Sequence, residues 1–396
     1  MSKREGGNDN DAAVVPEAKV FLPGKTIGML GSGQLGRMSA MAAKNLGYKV
    51  VVYDAVPEGP ACSCADLSIT APFTDREALG RFAEEADVVT LEFENIPIAV
   101  LEFLETKVPV RPSASVVRIC QDRILEKEFL QNNKFPVAPF RVVTSVSELM
   151  EGMSDLSAPS ILKTAALGYD GKGQVRISPG DDLNSAWGQL SSPRGVLEKM
   201  IPFDSECSVI CSRSPHGETR CFPVQENIHR DGILDITIAP ACIAADVAAN
   251  AQQIASSIAE KLGVIGLITV EFFVLPDGSL MVNELAPRPH NSGHHTIETT
   301  LTSQFAQHIR AVCGLPLGPV EMRSPGVMIN LLGDLWRREE PDWEPLLSES
   351  GLFLHLYGKS KAKPGRKMGH FTLLETGGNT RERALALRAQ LIGKAD

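Results

Sequence analysis

From Lys25 the chain runs in short apolar blocks separated by polar ones. KTIGML, the turn GSGQLG and the amphipathic run RMSAMAAKNLG, closed by Gly47, predict strand, turn and helix. YKVVVYDA, DLSIT and DVVTLEF predict three more strands, with DREALGRFAEEA as a helix between the last two. Strands alternating with helices imply a parallel, doubly wound sheet over residues 25–115. SASVVRICQDRILEKEFLQNN predicts one long helix with Ser113 or Ser115 as its cap, and FPVAPF an extended linker.

The pattern then changes. SILKTA and GVLEKMI predict strands of a smaller unit around the glycine-rich loop LGYDGKGQ. ECSVICS and ETRCFPVQE predict antiparallel strands, and VAANAQQIASSIAEKLG a helix ending at Gly263. ITVEFFV and LMVNEL flank PDGS as a hairpin. VMINLLG, LFLHLYG and GHFTLLE predict short strands, and TRERALALRAQL a final helix. The expected fold is mixed α/β: a flexible tail (1–24), a Rossmann-like domain (25–115), a central domain (116–317) with a lid at about 142–205, and a small β-rich C-terminal domain (318–396).

Composition narrows the function classes. A net charge of −9 over 396 residues argues against a nucleic-acid protein, which would present a basic face. No apolar run approaches the roughly 18 residues of a membrane span. The polar N-terminus lacks an apolar signal core. The eight cysteines are scattered, and Cys62 and Cys64 are too close for a zinc knuckle. They read mostly as buried free thiols, which fits a reducing cytoplasm.

Three motifs carry chemistry. If Asp277-Gly278 is a two-residue turn, Phe273 faces Val282 and Glu271 faces Glu284. Two opposed carboxylates repel unless a cation lies between them, and a hard divalent ion with oxygen ligands would do so. The bland reading is a solvated glutamate or a shifted register, but Glu284 opens the dense polar run NELAPRPHNSGHH. Second, Lys163 precedes the GYDGKGQ loop, residues Gly168, Tyr169, Asp170, Gly171, Lys172, Gly173 and Gln174. Such a loop suits phosphate, although a surface loop would look the same. Third, Gly31-Ser32-Gly33-Gln34-Leu35-Gly36 and Asp54 fit the dinucleotide fingerprint of a dehydrogenase. An NAD-dependent dehydrogenase, however, leaves Lys163, the second glycine loop and the glutamates without a task.

GSGQLGRM, EFENIP, ILKTAALGYDGKGQ, EKMIPFDSE, ENIHRDGI, VNELAPRPHNSGHHTIE and PGRKMGH, in this order, resemble the 5-(carboxyamino)imidazole ribonucleotide synthetases, ATP-grasp enzymes of purine biosynthesis. The resemblance implies ATP-dependent carboxylation of 5-aminoimidazole ribonucleotide by bicarbonate through carboxyphosphate, with Mg²⁺, in a cytoplasmic homodimer. It implies ATP contacts from Arg123, Lys163, the loop 168–174, the strand Glu198, Lys199, Met200 and Ile201, and from Glu206, His229, Asn283 and Glu284. Glu271 and Glu284 would hold Mg²⁺. Arg288, His290, Asn291 and Asp170 would serve the carbon transfer. Gln34, Leu35, Glu92, Tyr169, Asn291, Lys359, Arg366 and Lys367 would bind the ribonucleotide. Strand alternation would put Glu92 and Glu94 on one face, leaving the choice between them open. A formate-using phosphoribosylglycinamide transformylase shares this layout, and a non-catalytic nucleotide-binding regulator is a further alternative; ENIHRDGI and NSGHHTIE favour the carboxylating reading.

Overall fold

The computed structural model describes residues 19–157, 159–166, 173–190, 192–375 and 377–391. The first layer is a parallel sheet. β1 (Thr26–Leu30), β2 (Lys49–Asp54), β3 (Leu67–Thr70) and β4 (Val88–Leu91) pair in the order β3-β2-β1-β4. α1 (Gln34–Asn45), α2 (Arg76–Glu85) and α3 (Ile98–Glu105) accompany it, α3 being a helix the sequence reading omitted. β4 is buried along its whole length, as a strand covered on both faces must be.

The folded part begins before Lys25. Phe21 is buried, its N–H donates to Cys313 O at 2.8 Å, and its carbonyl accepts from the Tyr48 hydroxyl at 2.6 Å. The expected flexible tail therefore does not extend over residues 19–24; residues 1–18 of it lie outside the described residues.

The long helix expected after Ser113 is two helices, α4 (Ala114–Gln121) and α5 (Arg123–Asn132). Asp122 breaks it. Its backbone is extended, and its carboxylate caps α5 by accepting from the N–H groups of Ile124 (2.9 Å) and Leu125 (3.4 Å). Neither serine caps α4 through its side chain; Glu105 accepts from Ala114 N–H at 2.7 Å instead.

The unit expected to act as a lid is an antiparallel sheet of β5 (Phe140–Val143), β6 (Ser160–Thr164), β7 (Gln174–Ile177) and β8 (Gly195–Lys199), in the order β5-β8-β6-β7. α6 (Val146–Leu156) and α7 (Leu183–Leu190) pack on it through Leu149, Ala186 and Leu190.

The central antiparallel sheet starts with β9 (Ser205–Arg213), β10 (Thr219–Cys221), β11 (Gln225–Arg230) and β12 (Ile233–Ala239). The run ETRCFPVQE is thus split between β10 and β11. β13 (Gly266–Val274) and β14 (Leu280–Ala286) form one edge, with α8 (Ala245–Leu262) packed beneath. Gly263, at φ 66°, closes α8 as expected. α9 (Thr296–Thr299) and α10 (Gln304–Cys313) follow. β15 (Gly326–Leu332), α11 (Glu344–Leu347), β16 (Leu352–Leu356), β17 (Lys367–Leu374) and α12 (Thr380–Gln390) complete the described chain. The strand order is β14-β13-β9-β11-β12-β15-β17-β16. Because β12 pairs with β15, the C-terminal strands continue the central sheet and do not form a sheet of their own.

All eight cysteines are free, but only Cys207, Cys211 and Cys313 are fully buried, and Cys242 is exposed. Among the described residues no helix is long and apolar enough to cross a membrane.

Candidate active site

β13 and β14 set Glu271 opposite Glu284, by a route different from the predicted one. Leu275 N–H donates to Ser279 O at 2.9 Å, so the turn spans Pro276 to Gly278, with Gly278 in the left-handed region at φ 79°. This moves the ladder by one: Phe272, not Phe273, faces Val282. Asn283 then bulges from β14 and restores the glutamate pair. The bulged Asn283 carbonyl accepts from Lys127 Nζ at 3.0 Å.

The two glutamates are not equivalent. Burial opposes the charge of Glu271, but His290 Nε2, 3.1 Å from Glu271 Oε1, and the nearby His229 and Arg288 hold its carboxyl at about 2. Desolvation in the cleft raises the pKa of Glu284, with Glu271 and Glu94 adding to the rise against Arg123 at 3.7 Å. A carboxylate short of positive charge beside an ionised one fits a divalent cation. Among the described residues no third His, Cys, Asp or Glu completes a metal-binding group, so a cation here would take oxygens from a bound phosphate.

Behind this pair lies a buried ion cluster. Glu198 on β8 lies between Lys127 of α5 (3.2 Å) and Lys163 of β6 (3.1 Å). Burial works against the charge of Glu198, yet the two lysines hold its carboxyl at about 2. Burial likewise pushes the Lys163 ammonium below its ordinary value, opposed by Glu198. Arg123 opens α5, donates N–H to Ala165 O at 2.7 Å and reaches Thr164 O at 3.3 Å. Helix α5 thus ties the lid to the bulge of β14. Lys127 was missed in the sequence; its signal is the spacing of four from Arg123, which puts both on one helix face.

The strand Glu198–Ile201 was expected to offer its backbone to a base. The N–H groups of Lys199 and Met200 donate to Pro139 O and Pro159 O, each at 2.9 Å. Glu206 and His229 do meet, with Oε2 and Nδ1 2.6 Å apart. Burial disfavours His229 protonation, but Glu206 outweighs it and raises the pKa. Gly173 and Gln174 lead into β7, while Gly168, Tyr169, Asp170, Gly171 and Lys172 lie outside the described residues.

The first glycine turn already holds an anion, one belonging to the protein. Glu92 accepts from Gly33 N–H at 2.8 Å and Gly36 N–H at 3.0 Å. Gly31 sits at φ 97°, and a Cβ there would meet Glu92 and Phe93 at 2.5–2.6 Å. The turn that reads as a pyrophosphate cradle is filled by Glu92. Glu92 and Glu94 lie beyond the end of β4, so strand alternation does not apply to them. Glu94 pairs with Arg288, its Oε1 accepting from Nη2 at 2.8 Å and its Oε2 from Nε. Burial opposes that charge, but Arg288 holds the Glu94 carboxyl at about 2.

The loop after β14 brings His290 to the pair, with Asn291 next in the chain. Gln304 clamps the His290 backbone, accepting from its N–H at 2.9 Å and donating to its carbonyl at 2.7 Å. Both amide atoms of Asn291 are buried without a hydrogen-bond partner among the described residues, as a ligand-facing amide would be. Leu35 and Met38 cluster with Phe305 and Tyr357, so the glycine turn meets the segment carrying Lys359. Leu35 is itself buried in that cluster. Lys359 Nζ donates to Lys367 O at 2.6 Å, joining two of the three expected phosphate cations. Arg366 is exposed, and its guanidinium donates to Lys361 O at 2.8 Å. Gln34 begins α1, next to Leu35.

A lid sheet and a central sheet joined by buried lysines, with paired glutamates at the central edge, define an ATP-grasp enzyme. Residues 128–305 match the ATP-grasp domain, 24–121 the ribonucleotide synthetase preATP-grasp domain, and 326–384 the phosphoribosylaminoimidazole carboxylase C-terminal domain. The chain is 44% identical over 357 residues to the N5-carboxyaminoimidazole ribonucleotide synthase of Bacillus subtilis (strain 168), covering 90% of this chain and 93% of that protein. It superposes on the N5-carboxyaminoimidazole synthetase of Staphylococcus aureus complexed with ADP with a TM-score of 0.87, at 38% identity, covering 94% and 99% of the two chains. The enzyme of Aspergillus clavatus in complex with ADP and 5-aminoimidazole ribonucleotide gives 0.82 at 33% identity, covering 93% and 97%. The chain belongs to the N5-carboxyaminoimidazole ribonucleotide synthase family.

Proposed function

We propose that the chain joins bicarbonate to the exocyclic amine of 5-aminoimidazole ribonucleotide, cleaving ATP to ADP and phosphate, as a cytoplasmic homodimer in purine biosynthesis. The observation that carries this reading is the Glu271–Glu284 pair, lined by Arg123 and Lys163, in a chain of this family. Glu271 and Glu284 would hold Mg²⁺, which when bound draws the phosphates in and neutralises their charge. Lys163 and Arg123 would grip the phosphates, and Glu206 with His229 the ribose hydroxyls.

Bicarbonate is a poor electrophile, and phosphorylation to carboxyphosphate supplies it with a leaving group. The intermediate is short-lived in water, so the lid's part is exclusion of solvent. Arg288 would neutralise the bicarbonate, pinned in place by Glu94. The Asn291 amide, unpartnered among the described residues, would orient the amine. Lys359 and Lys367 would take the ribonucleotide phosphate. Most of the catalysis is then positioning and charge neutralisation.

Initial-rate ADP release with each component omitted tests this. Release should require ATP, bicarbonate and 5-aminoimidazole ribonucleotide together. Release supported instead by formate with glycinamide ribonucleotide would overturn the assignment.

A further inference from the structure

His290 is held at both ring nitrogens, and the two contacts agree about where its proton sits. On one side the Ser292 backbone N–H donates to Nδ1 at 3.3 Å. A backbone N–H can only donate, so Nδ1 is an acceptor. On the other side Nε2 lies 3.1 Å from a Glu271 carboxylate oxygen, which can only accept. A proton on Nδ1 would set donor against donor at one end of the ring and lone pair against lone pair at the other.

A buried chain of donors reinforces this. Asn227 Nδ2 donates to Ser208 Oγ at 2.8 Å, and Ser208 Oγ lies 2.9 Å from Ser292 Oγ. Gln225 Nε2 also donates to Ser292 Oγ, at 3.2 Å. When Ser208 donates to it, the Ser292 hydroxyl has both lone pairs filled and its one proton left for His290 Nδ1, 2.8 Å away, which agrees with the acceptor role that the Ser292 N–H sets. Ser292, Ser208 and Gln225 are 0% exposed and Asn227 4%, so solvent does not compete for these groups.

We propose that Ser292, backed by Ser208, Asn227 and Gln225, is a positioning residue that keeps His290 Nδ1 a hydrogen-bond acceptor, with the ring proton on Nε2. His290 then meets the carbon-transfer step as a hydrogen-bond donor to an oxygen, not as the base that removes the amine proton. This rests on the reaction proposed above for its chemical consequence, but the tautomer itself does not.

The test is a long-range ¹H–¹⁵N correlation spectrum of the full chain labelled with ¹⁵N-histidine, at mildly alkaline pH. The His290 signals are those lost in His290→Gln. The expected pattern has Nε2 protonated and Nδ1 bare; a proton on Nδ1, or on both nitrogens, overturns the proposal. Ser292→Ala should give a mixed tautomer pattern and lower kcat by about 10- to 100-fold, with KM for ATP unchanged. An unchanged spectrum with unchanged kcat would overturn it. Should Ser292→Ala not fold, Ser208→Ala should move both readouts the same way by less, and no movement in either counts against the proposal. The spectra need no turnover, so they stand or fall separately from the reaction assignment.

Discussion

Glu271 and Glu284 face each other, and among the described residues Glu271 has the closer partner, with His290 Nε2 at 3.1 Å against 3.7 Å from Arg123 to Glu284. Burial, with repulsion from Glu271 and Glu94 added to it, raises the Glu284 pKa; this is a cost in the free protein and an attraction for a cation. Glu284→Gln should therefore abolish ADP release while raising the thermal midpoint of the ligand-free protein. Near-normal kcat, or a lowered midpoint, would contradict the metal assignment.

Lys127 connects three parts of the molecule: its own helix, Glu198 of the lid and the Asn283 carbonyl of the central sheet. Removing one partner of a buried ion pair costs about 3–5 kcal/mol. Lys127→Met should lower stability by that order in urea unfolding. It should also raise KM for ATP, because Glu198 is left to Lys163 alone. A stability equal to that of the parent would show that the cluster is not structural.

Acid should weaken the fold through carboxylates held this way. Glu198 is ordinarily half-protonated near 4.5 but sits at about 2 in the folded chain. A depressed carboxylate stabilises the fold fully above its ordinary value. The contribution, on the order of 3 kcal/mol, is lost as pH falls from 4.5 towards 2. Glu198→Gln should be less stable at neutral pH and should show a shallower loss of stability across that window. An acid limb parallel to that of the parent would contradict this.

Glu92 fills the first glycine turn, so Glu92→Ala leaves the Gly33 and Gly36 N–H groups without their acceptor. The expected loss is about 1–3 kcal/mol, measured by denaturant unfolding, with Glu92→Gln recovering part of it. No loss in either variant would mean that solvent replaces the carboxylate.

Much of this was legible in the sequence because apolar blocks report burial. The strand–helix order of the first domain and the Gly263 stop of α8 follow from local pattern. The hairpin shows the limit. The predicted two-residue turn was one residue short, and the unpredicted bulge at Asn283 cancels that error, so Glu271 still meets Glu284. A bulge depends on tertiary partners, here Lys127, that periodicity does not encode. The break at Asp122 is a capping event inside an otherwise helical pattern. Glu92 in the glycine turn joins residues 56 or more apart in sequence, which no local signal reports.

The most direct measurement is transfer of carbon from ¹³C-bicarbonate, followed with ADP release in the same reaction and with the product trapped quickly. The account predicts one labelled carboxylate on the amine of 5-aminoimidazole ribonucleotide for each ADP formed. ADP formed without label on the ribonucleotide would contradict it.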